Sequence, residues 1–276
     1  MLQLQPGHDR VLRRALLGLQ FRDVLDGRVV AEGLRVDLQD LWQPRHNRAL
    51  VANPSGVFVL HDFPGLRGFG DDALPSPAEA GRFRLTAVDT SGRYLPVALA
   101  PPLSADGLWA PDLVSPWVSP PDQPGHVPLW PAATRSLPGS LATVRAELRR
   151  AGNDDQPVPW ARVEAWLGST RLGEGLADEA GRLLLAFPLP RPRPATLGTS
   201  PAGRPTAFEW TLTLRAHWNP AFQAAPLPYL DEIQAQPEVP LLARASPPLP
   251  LGPVTLLAGE TLVLASPPSS FLTVAA

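Results

Sequence analysis

LQFRDVLDGRVVAEGLRVDL (19–38) and NPSGVFVLHDFPG (53–65) make up one half of a pattern that recurs as VRAELRRAGNDDQPVPWARVEAW (144–166) and DEAGRLLLAFPLP (178–190). Each copy contains two runs in which polar and apolar residues alternate, then a loop (39–52 and 167–177), then a polar turn closed by glycine, then an apolar run that ends at proline. Alternation with period two is typical of a strand that buries one face. The repeat therefore predicts an all-β chain built from two β-sandwich modules.

Proline takes up 36 of the 276 residues, more than twice its usual share of about 5 %. Because proline lacks a backbone N–H and fixes φ, it disfavours long helices and is confined to loops, strand starts and sheet edges. We therefore expect an N-terminal arm at 1–13 and a first module at 14–103. An extended Pro- and Trp-rich connection at 104–139 then leads to a second module at 140–276, which carries further Pro-rich insertions.

Several stretches give more detailed predictions. Residues 208–218 alternate perfectly and predict the best strand of the chain. Residues 183–187 are apolar on both faces, which predicts a central strand. Residues 153–155 predict a turn, and the runs 254–257 and 261–265 predict a hairpin.

The charge and composition exclude several classes of function. The formal net charge is −2, so no overall positive field would recruit nucleic acid. All 24 basic residues are arginine, and the absence of cysteine excludes disulfides, thiolate nucleophiles and Cys-ligated metals. No run of about 18 apolar residues predicts a membrane span, and the first residues lack the apolar segment of a signal peptide. We expect synthesis in a bacterial cytoplasm, with later release as part of a particle left open.

No motif for catalysis or for a cofactor stands out. A phosphate-binding loop would need a lysine, which the chain lacks, and GTSPA (198–202) departs from the serine nucleophile elbow. The five histidines have no metal-ligand spacing. Acidic pairs at Asp71-Asp72, Asp154-Asp155 and Asp178-Glu179 are interpreted as turn formers, with calcium at such a turn left open. We predict no catalytic residue, no cofactor and no metal site.

Tryptophan gives the remaining hint of function. Trp109, Trp117 and Trp130 lie in the Pro-rich connection, and Trp160 and Trp166 lie in or beside a strand of the second module. Tryptophan is enriched in packed interface centres, so the first three are candidates for contact with other proteins. Their alternative role is a platform for carbohydrate.

The module pattern resembles the carboxypeptidase regulatory-like family, a small immunoglobulin-like or transthyretin-like β-sandwich. The resemblance lies in DVLDG (23–27) with GLRV (33–36), in SGVF (55–58), and in ADEAGR (177–182), which matches better. The first copy lacks the acidic residue of the family's turn. The resemblance implies a scaffold or binding module, and that family has no catalytic residues to transfer.

A second resemblance is to proteins encoded with bacterial extracellular contractile injection systems, which are phage-tail-like particles. It lies in FRDVLDGRVVAEGLRV (21–36), SGVFVLHDFPGL (55–66), VPLWPAATR (127–135) and GLADEAGRLLLAFPLP (175–190). It implies a non-enzymatic structural subunit at the baseplate or the terminal cap, present in symmetric copies and in contact with other subunits. The alternatives are a carbohydrate- or cell-surface-binding protein and, third, an enzyme with an unfamiliar acidic site.

Overall fold

The computed structural model describes residues 15–61, 63, 81–103, 126–190, 208–223, 227–244 and 246–275. Across these residues, the regular structure consists of nineteen strands, one 3-10 turn (Pro220–Gln223) and one short helix, α1 (Leu230–Gln234). The prediction of an all-β chain is confirmed. No helix in this part of the chain is long and apolar enough to cross a membrane.

The first sheet contains seven strands. In chain order they are β1 (Leu17–Asp23), β2 (Leu34–Asp40), β3 (Asn47–Ala52), β4 (Val57–Leu60), β5 (Phe83–Asp89), β6 (Val97–Leu99) and β7 (His126–Leu129). Their order across the sheet is β6-β5-β2-β3-β4-β1-β7, and β1 pairs in parallel with β7. Strand β1 shows why the sequence folds this way, because Leu17, Leu19 and Phe21 are fully buried while the residues between them are half-buried.

Two features of this sheet differ from the sequence-based expectation. Strand β7 lies in the segment expected to be an extended connection, yet it completes the first sheet, and the backbone N–H of Leu95 donates to the carbonyl of Trp130 (2.9 Å). Strand β3 falls in a stretch expected to be a loop. Only Leu50 of its six residues is buried, so its sequence carries no alternation that would have revealed it.

Two further sheets contain the remaining strands. In chain order these strands are β8 (Leu141–Arg150), β9 (Asn153–Pro157), β10 (Arg162–Leu167), β11 (Thr170–Leu176), β12 (Arg182–Pro188), β13 (Glu209–His217), β14 (Glu238–Val239), β15 (Leu241–Arg244), β16 (Leu249–Pro250), β17 (Val254–Leu257), β18 (Thr261–Leu264) and β19 (Leu272–Val274). One sheet has the order β11-β10-β13-β14, with β17 also on β13. The other has the order β12-β8-β19-β15-β16, with β9 and β18 also on β8.

Three local predictions for these sheets were wrong. The runs β17 and β18 flank a turn, but they join different sheets and do not form a hairpin. Strand β12 lies at the end of its sheet and not in the centre, although its residues 183–187 are all buried. The turn expected at 153–155 falls at Ala151–Gly152, and 153–157 is strand β9. The strand predicted at 208–218 is confirmed as β13.

The apolar side chains form two clusters. The first fills the space behind the seven-stranded sheet, and the second lies between the other two sheets, which contribute residues such as Val144 and Leu212. The first cluster also takes in residues from the C-terminal half, namely Trp160, Leu176, Phe222, Leu230 and Ile233. The first cluster is therefore a core that the two halves of the chain share.

Polar contacts also join the two halves of the chain, next to the shared core. Arg84 Nη2 donates to the carbonyl of Leu227 (2.5 Å), and its guanidinium lies over the ring of Tyr229 at 4.8 Å. Tyr229 forms a parallel bridge with Ala98 of β6. Arg145 of β8 donates to the carbonyl of Ala133. These bonds fix the orientation that the apolar contacts alone would leave open.

Among the described residues, one kind of turn occurs three times, beginning at Asn53, Asp89 and Asp178. Asn53 Oδ1 accepts hydrogen bonds from the backbone N–H groups two and four residues further on, at 2.9 and 3.0 Å. Asp178 Oδ1 does the same at 2.9 Å in both cases. Asp89 uses its two oxygens for the corresponding bonds, at 3.3 and 2.7 Å. The glycine three residues on has a positive φ each time (75°, 69° and 76°), a conformation that glycine adopts without steric cost.

Candidate functional site

Within the described part of the chain, a dense group of titratable side chains lies on three neighbouring strands, β10, β11 and β13. Glu164 is directly opposite Glu174 on one side and Arg215 on the other. Strand alternation sends Val163 and Ala165 into the second core, so Glu164 lies on the opposite face of the sheet. These pairings bring together charges that are far apart in sequence.

Two arginines balance the two glutamates. Arg162 Nη1 lies 2.7 Å from Glu164 Oε1 and 3.6 Å from Glu174 Oε2. Arg171 Nη1 lies 3.2 Å from Glu164 Oε1, and Arg171 Nη2 contacts Glu174 Oε2. Each carboxylate thus contacts both guanidinium groups. We call these four residues the Arg–Glu network.

Burial gives the network its electrostatic character. Glu164 and Glu174 are each only 6 % exposed. Burial raises the pKa of Glu174 and the charge of Glu164 adds to this, although Arg171 and Arg162 oppose the shift. Burial and the nearby Arg162 lower the pKa of His217, whose Nε2 lies 3.8 Å from Glu164 Oε2. The site therefore favours the neutral form of His217, beside a Glu164 carboxylate that is paired with two arginines.

An aromatic side chain completes this face of the sheet. The indole Nε1–H of Trp166 donates to Glu164 Oε2 at 3.0 Å. The guanidinium of Arg215 lies over the Trp166 ring at 4.7 Å. Glu164 therefore receives contacts from β10, β11 and β13, and it ties the three strands to one register.

A cleft borders the network. It has a volume of about 310 Å³, and its lining comes from the turn after β1 (Val24 and Leu25), from β11 (including Arg171 and Glu174) and from β12. This volume is at the lower end of the range for small-molecule sites, roughly 300–1,000 Å³. The cleft follows the line along which the two halves of the chain meet.

The facing carboxylates raise the question of acid–base chemistry. Retaining glycosidases place two carboxyl groups about 5–5.5 Å apart, with one free to attack and one free to donate a proton. In this site both Glu164 and Glu174 are engaged by two arginines. The geometry favours a charge-balanced network that holds strands in place over a pair that transfers protons.

The interface candidates from the sequence are placed as follows. Trp130 is 1 % exposed and packs in the first core, so its ring is not at the surface of the chain. The physical reason is that Trp130 directly follows β7, all four of whose residues are buried in the first sheet. Trp109 and Trp117 lie outside the described residues. Trp160 is 5 % exposed and also packs in the first core.

The acidic pairs differ in where they lie. Asp154-Asp155 is part of strand β9 and not of the predicted turn. Asp178 caps its turn and pairs with Arg182 at 2.8 Å, while Asp71-Asp72 lies outside the described residues. Among the residues that the structure describes, no three His, Asp or Glu side chains are grouped so that they could hold a metal ion.

Sequence reasoning missed both the Arg–Glu network and an exposed tryptophan, Trp42. The alternation R-x-E-x-W in β10 was visible, but the partner strand β11 falls in a stretch that was expected to be a loop, and its two glycines interrupt the apolar pattern. Trp42 lies in a loop and is 59 % exposed. Other large apolar side chains at the surface of the described residues include Val51 (79 %) and Val263 (67 %).

Comparison with known proteins gives little further guidance. No family model matches the chain, and no curated protein matches it. Among solved structures, the chain is similar to the Bacillus anthracis TIE protein, with 8 % sequence identity and a TM-score of 0.23. The match covers 90 % of this chain and 32 % of that one, so the chain spans about a third of that structure's length. At this TM-score the likeness supports no argument about fold or function.

Proposed function

We propose that this chain is a non-enzymatic structural subunit that works through protein–protein contacts, in symmetric copies, within a phage-tail-like contractile injection particle. The particle is proposed from the resemblance of the 21–36, 55–66, 127–135 and 175–190 segments. The proposal includes two β-sandwich modules as the building blocks, with Pro-rich segments that order against neighbouring subunits. Position at the baseplate or at the cap is left open.

The observation that carries the proposal is the shared core. Because Trp160, Leu230 and Ile233 pack into the cluster of the first sheet, the two halves cannot rotate independently without exposing apolar surface. Such a connection would suit the proposed role of the modules as rigid blocks. The Arg–Glu network supports the structural role as well, because its charged side chains pair with one another and hold neighbouring strands together.

Exposed valines supply the proposed contact points. Val51 on β3 is 79 % exposed and is paired with Val59 of β4, which is half-buried. Val263 on β18 is 67 % exposed. β-branched residues on an open sheet surface present a firm apolar surface to a partner at low entropic cost.

Sedimentation of particles tests the proposal. The native lysate is fractionated on a sucrose gradient, and we expect the chain in the heavy fractions together with sheath and tube proteins. Val51→Asp and Val263→Asp should move it to the light fractions. Thr211→Asp, which places the same charge on an exposed position of β13, should leave it in the particle. A chain that never sediments with particles would overturn the proposal.

A further inference from the structure

The loop between β2 and β3 presents an aromatic ring to solvent. It has the sequence LWQPRH (41–46), and Trp42 is 59 % exposed. An exposed indole is costly in water unless it has a partner, so a tryptophan held in this position calls for an explanation. The loop is closed by a hydrogen bond from the backbone N–H of Asp40 to the carbonyl of His46 (3.0 Å).

Asp40 fixes the loop from below. Its side chain is fully buried, and Oδ1 accepts from the backbone N–H groups of Trp42 (2.9 Å) and Gln43 (3.2 Å). Its other oxygen accepts from Arg82, at 3.0 Å from Nε and 2.8 Å from Nη2. Burial alone would raise the pKa of Asp40, but the hydrogen bonds from Arg82 and the loop lower it below its usual value. The carboxylate therefore stays charged and holds both the loop and the guanidinium.

Arg82 connects the exposed ring to the core. Its guanidinium lies over the Trp42 ring at 5.2 Å and over the Phe83 ring at 4.9 Å. Phe83 in turn packs edge-on against Phe63 at 5.4 Å, and both rings are buried. The Arg82 guanidinium thus covers one face of the indole, and Arg82 is itself held by Asp40. The rest of the Trp42 ring stays exposed in a fixed orientation.

The loop 41–46 itself carries a positive charge. It contains no Asp or Glu, and the Asp40 carboxylate next to it is paired with Arg82. Arg45 is exposed and adds a cation, while Gln43 adds an exposed amide. A preorganised aromatic surface beside a cation and an amide suits a ligand that has an apolar face, hydroxyl groups and a negative charge.

We propose that this loop binds an acidic saccharide, with a pyranose ring stacked on the open face of Trp42 and the sugar carboxylate paired with Arg45. The C–H groups of a pyranose face pack against an aromatic ring, and its hydroxyls reach Gln43. A protein partner fits less well, since a stable interface takes about 20–30 residues a side, whereas the exposed apolar side chains of this loop are only Leu41 (40 %) and Trp42 (59 %). The site goes beyond the structural role and does not depend on it.

Calorimetry with a defined sugar tests the site. The probes are an oligogalacturonate and its methyl ester, which has the same ring without the charge. The full chain should bind the acid more tightly than the ester. Trp42→Ala should abolish binding, and Arg45→Gln should weaken binding of the acid by about tenfold and remove its advantage over the ester.

A matched control separates the site from exposed aromatic surface in general. Phe208 is 46 % exposed elsewhere on the chain, so Phe208→Ala should leave the affinity unchanged. Unchanged melting temperatures would show that the Trp42 and Arg45 variants are folded. The proposal is overturned if the full chain binds neither sugar, if Trp42→Ala binds as well as the original chain, or if a poly-glutamate peptide binds equally well through Trp42.

Discussion

At the scale of single residues, side-chain oxygens at strand ends determine the turns. Asn53 and Asp178 accept the same two backbone hydrogen bonds at nearly the same distances, although one is an amide and the other a carboxylate. The turn needs an acceptor oxygen and a glycine, and it does not need a charge. This explains why the first copy of the sequence pattern keeps the turn without an acidic residue.

A substitution at Asp178 separates the acceptor from the charge. Asp178→Asn keeps the acceptor and loses only the ion pair with Arg182, whose side chain is 56 % exposed, so we expect a cost of about 0.5 kcal/mol or less. Asp178→Ala removes both hydrogen bonds and should cost about 1–2 kcal/mol. Urea unfolding measures both values. Equal losses for the two variants would show that the charge is what matters.

Tyr94 should titrate unusually late. Burial, together with a hydrogen bond from its hydroxyl to Asp23 Oδ2 (2.8 Å), raises the pKa of Tyr94 to about 12. Because the folded pKa lies above the unfolded value, its contribution to stability is complete below about pH 10 and is lost as the pH rises towards 12. The chain has only two tyrosines, so absorbance at alkaline pH in Tyr229→Phe reports on Tyr94 alone. An ordinary phenol titration in the folded chain would contradict the assignment.

At the scale of elements, close approach explains the position of β11 and β12. A methyl group at Gly175 would lie 2.7 Å from the carbonyl oxygen of Leu184, and one at Gly173 would lie 3.0 Å from that of Ala186. The two glycines therefore let β11 pack directly on β12. This contact helps to bury β12, although β12 is the end strand of its own sheet. In the sequence the same glycines weakened the strand signal, so β11 was missed.

Gly175→Ala should be strongly destabilising. The added methyl has to displace backbone, and we expect a loss of about 1–3 kcal/mol in the free energy of unfolding. Gly252→Ala is the matched control, because nothing lies within 4 Å of the added methyl there and φ is not in the left-handed region. Denaturant unfolding of both variants makes the comparison. A Gly175 variant as stable as the control would rule out the close approach.

The Arg–Glu network should contribute to the free energy of unfolding because its charges are buried. Glu164→Gln removes one of the two buried carboxylates that pair with Arg162 and Arg171 in this network, so we expect a loss of about 3–5 kcal/mol. The control is Glu147→Gln, since the Arg149–Glu147 pair is also an arginine–glutamate contact but the Glu147 side chain is 40 % exposed. That variant should change stability by less than about 1 kcal/mol. Similar losses of stability for the two variants would mean that burial does not determine how much the Arg–Glu network contributes.

At the scale of the whole molecule, the shared core is the feature that the sequence did not reveal. Alternation in β1, β2 and β13 predicted strands correctly, because one buried face leaves a local signature. The joining of the halves depends on residues such as Trp160 and Ile233, which lie in stretches without regular alternation. Trp160 has a left-handed backbone (φ 58°), and its ring packs in the first core while Val158 and Ala161 beside it pack in the second.

The candidate sites were out of reach of the sequence for the same reason. Glu164 and Glu174 become neighbours only through strand pairing. Trp42 and Arg82 are 40 positions apart and meet because Asp40 is paired with Phe83 across β2 and β5. The residue types were visible, but their partners are set by the topology.

The central claim is that the two halves form one cooperative body, and native-state hydrogen exchange with increasing denaturant tests it most directly. We expect the amides of β1 and those of β8 to lose protection in a single step. Ile233→Ala, which opens a cavity at the junction, should lower the stability of both strands together by about 2–5 kcal/mol. Separate steps for the two strands, or a loss confined to one half in the Ile233 variant, would contradict the claim.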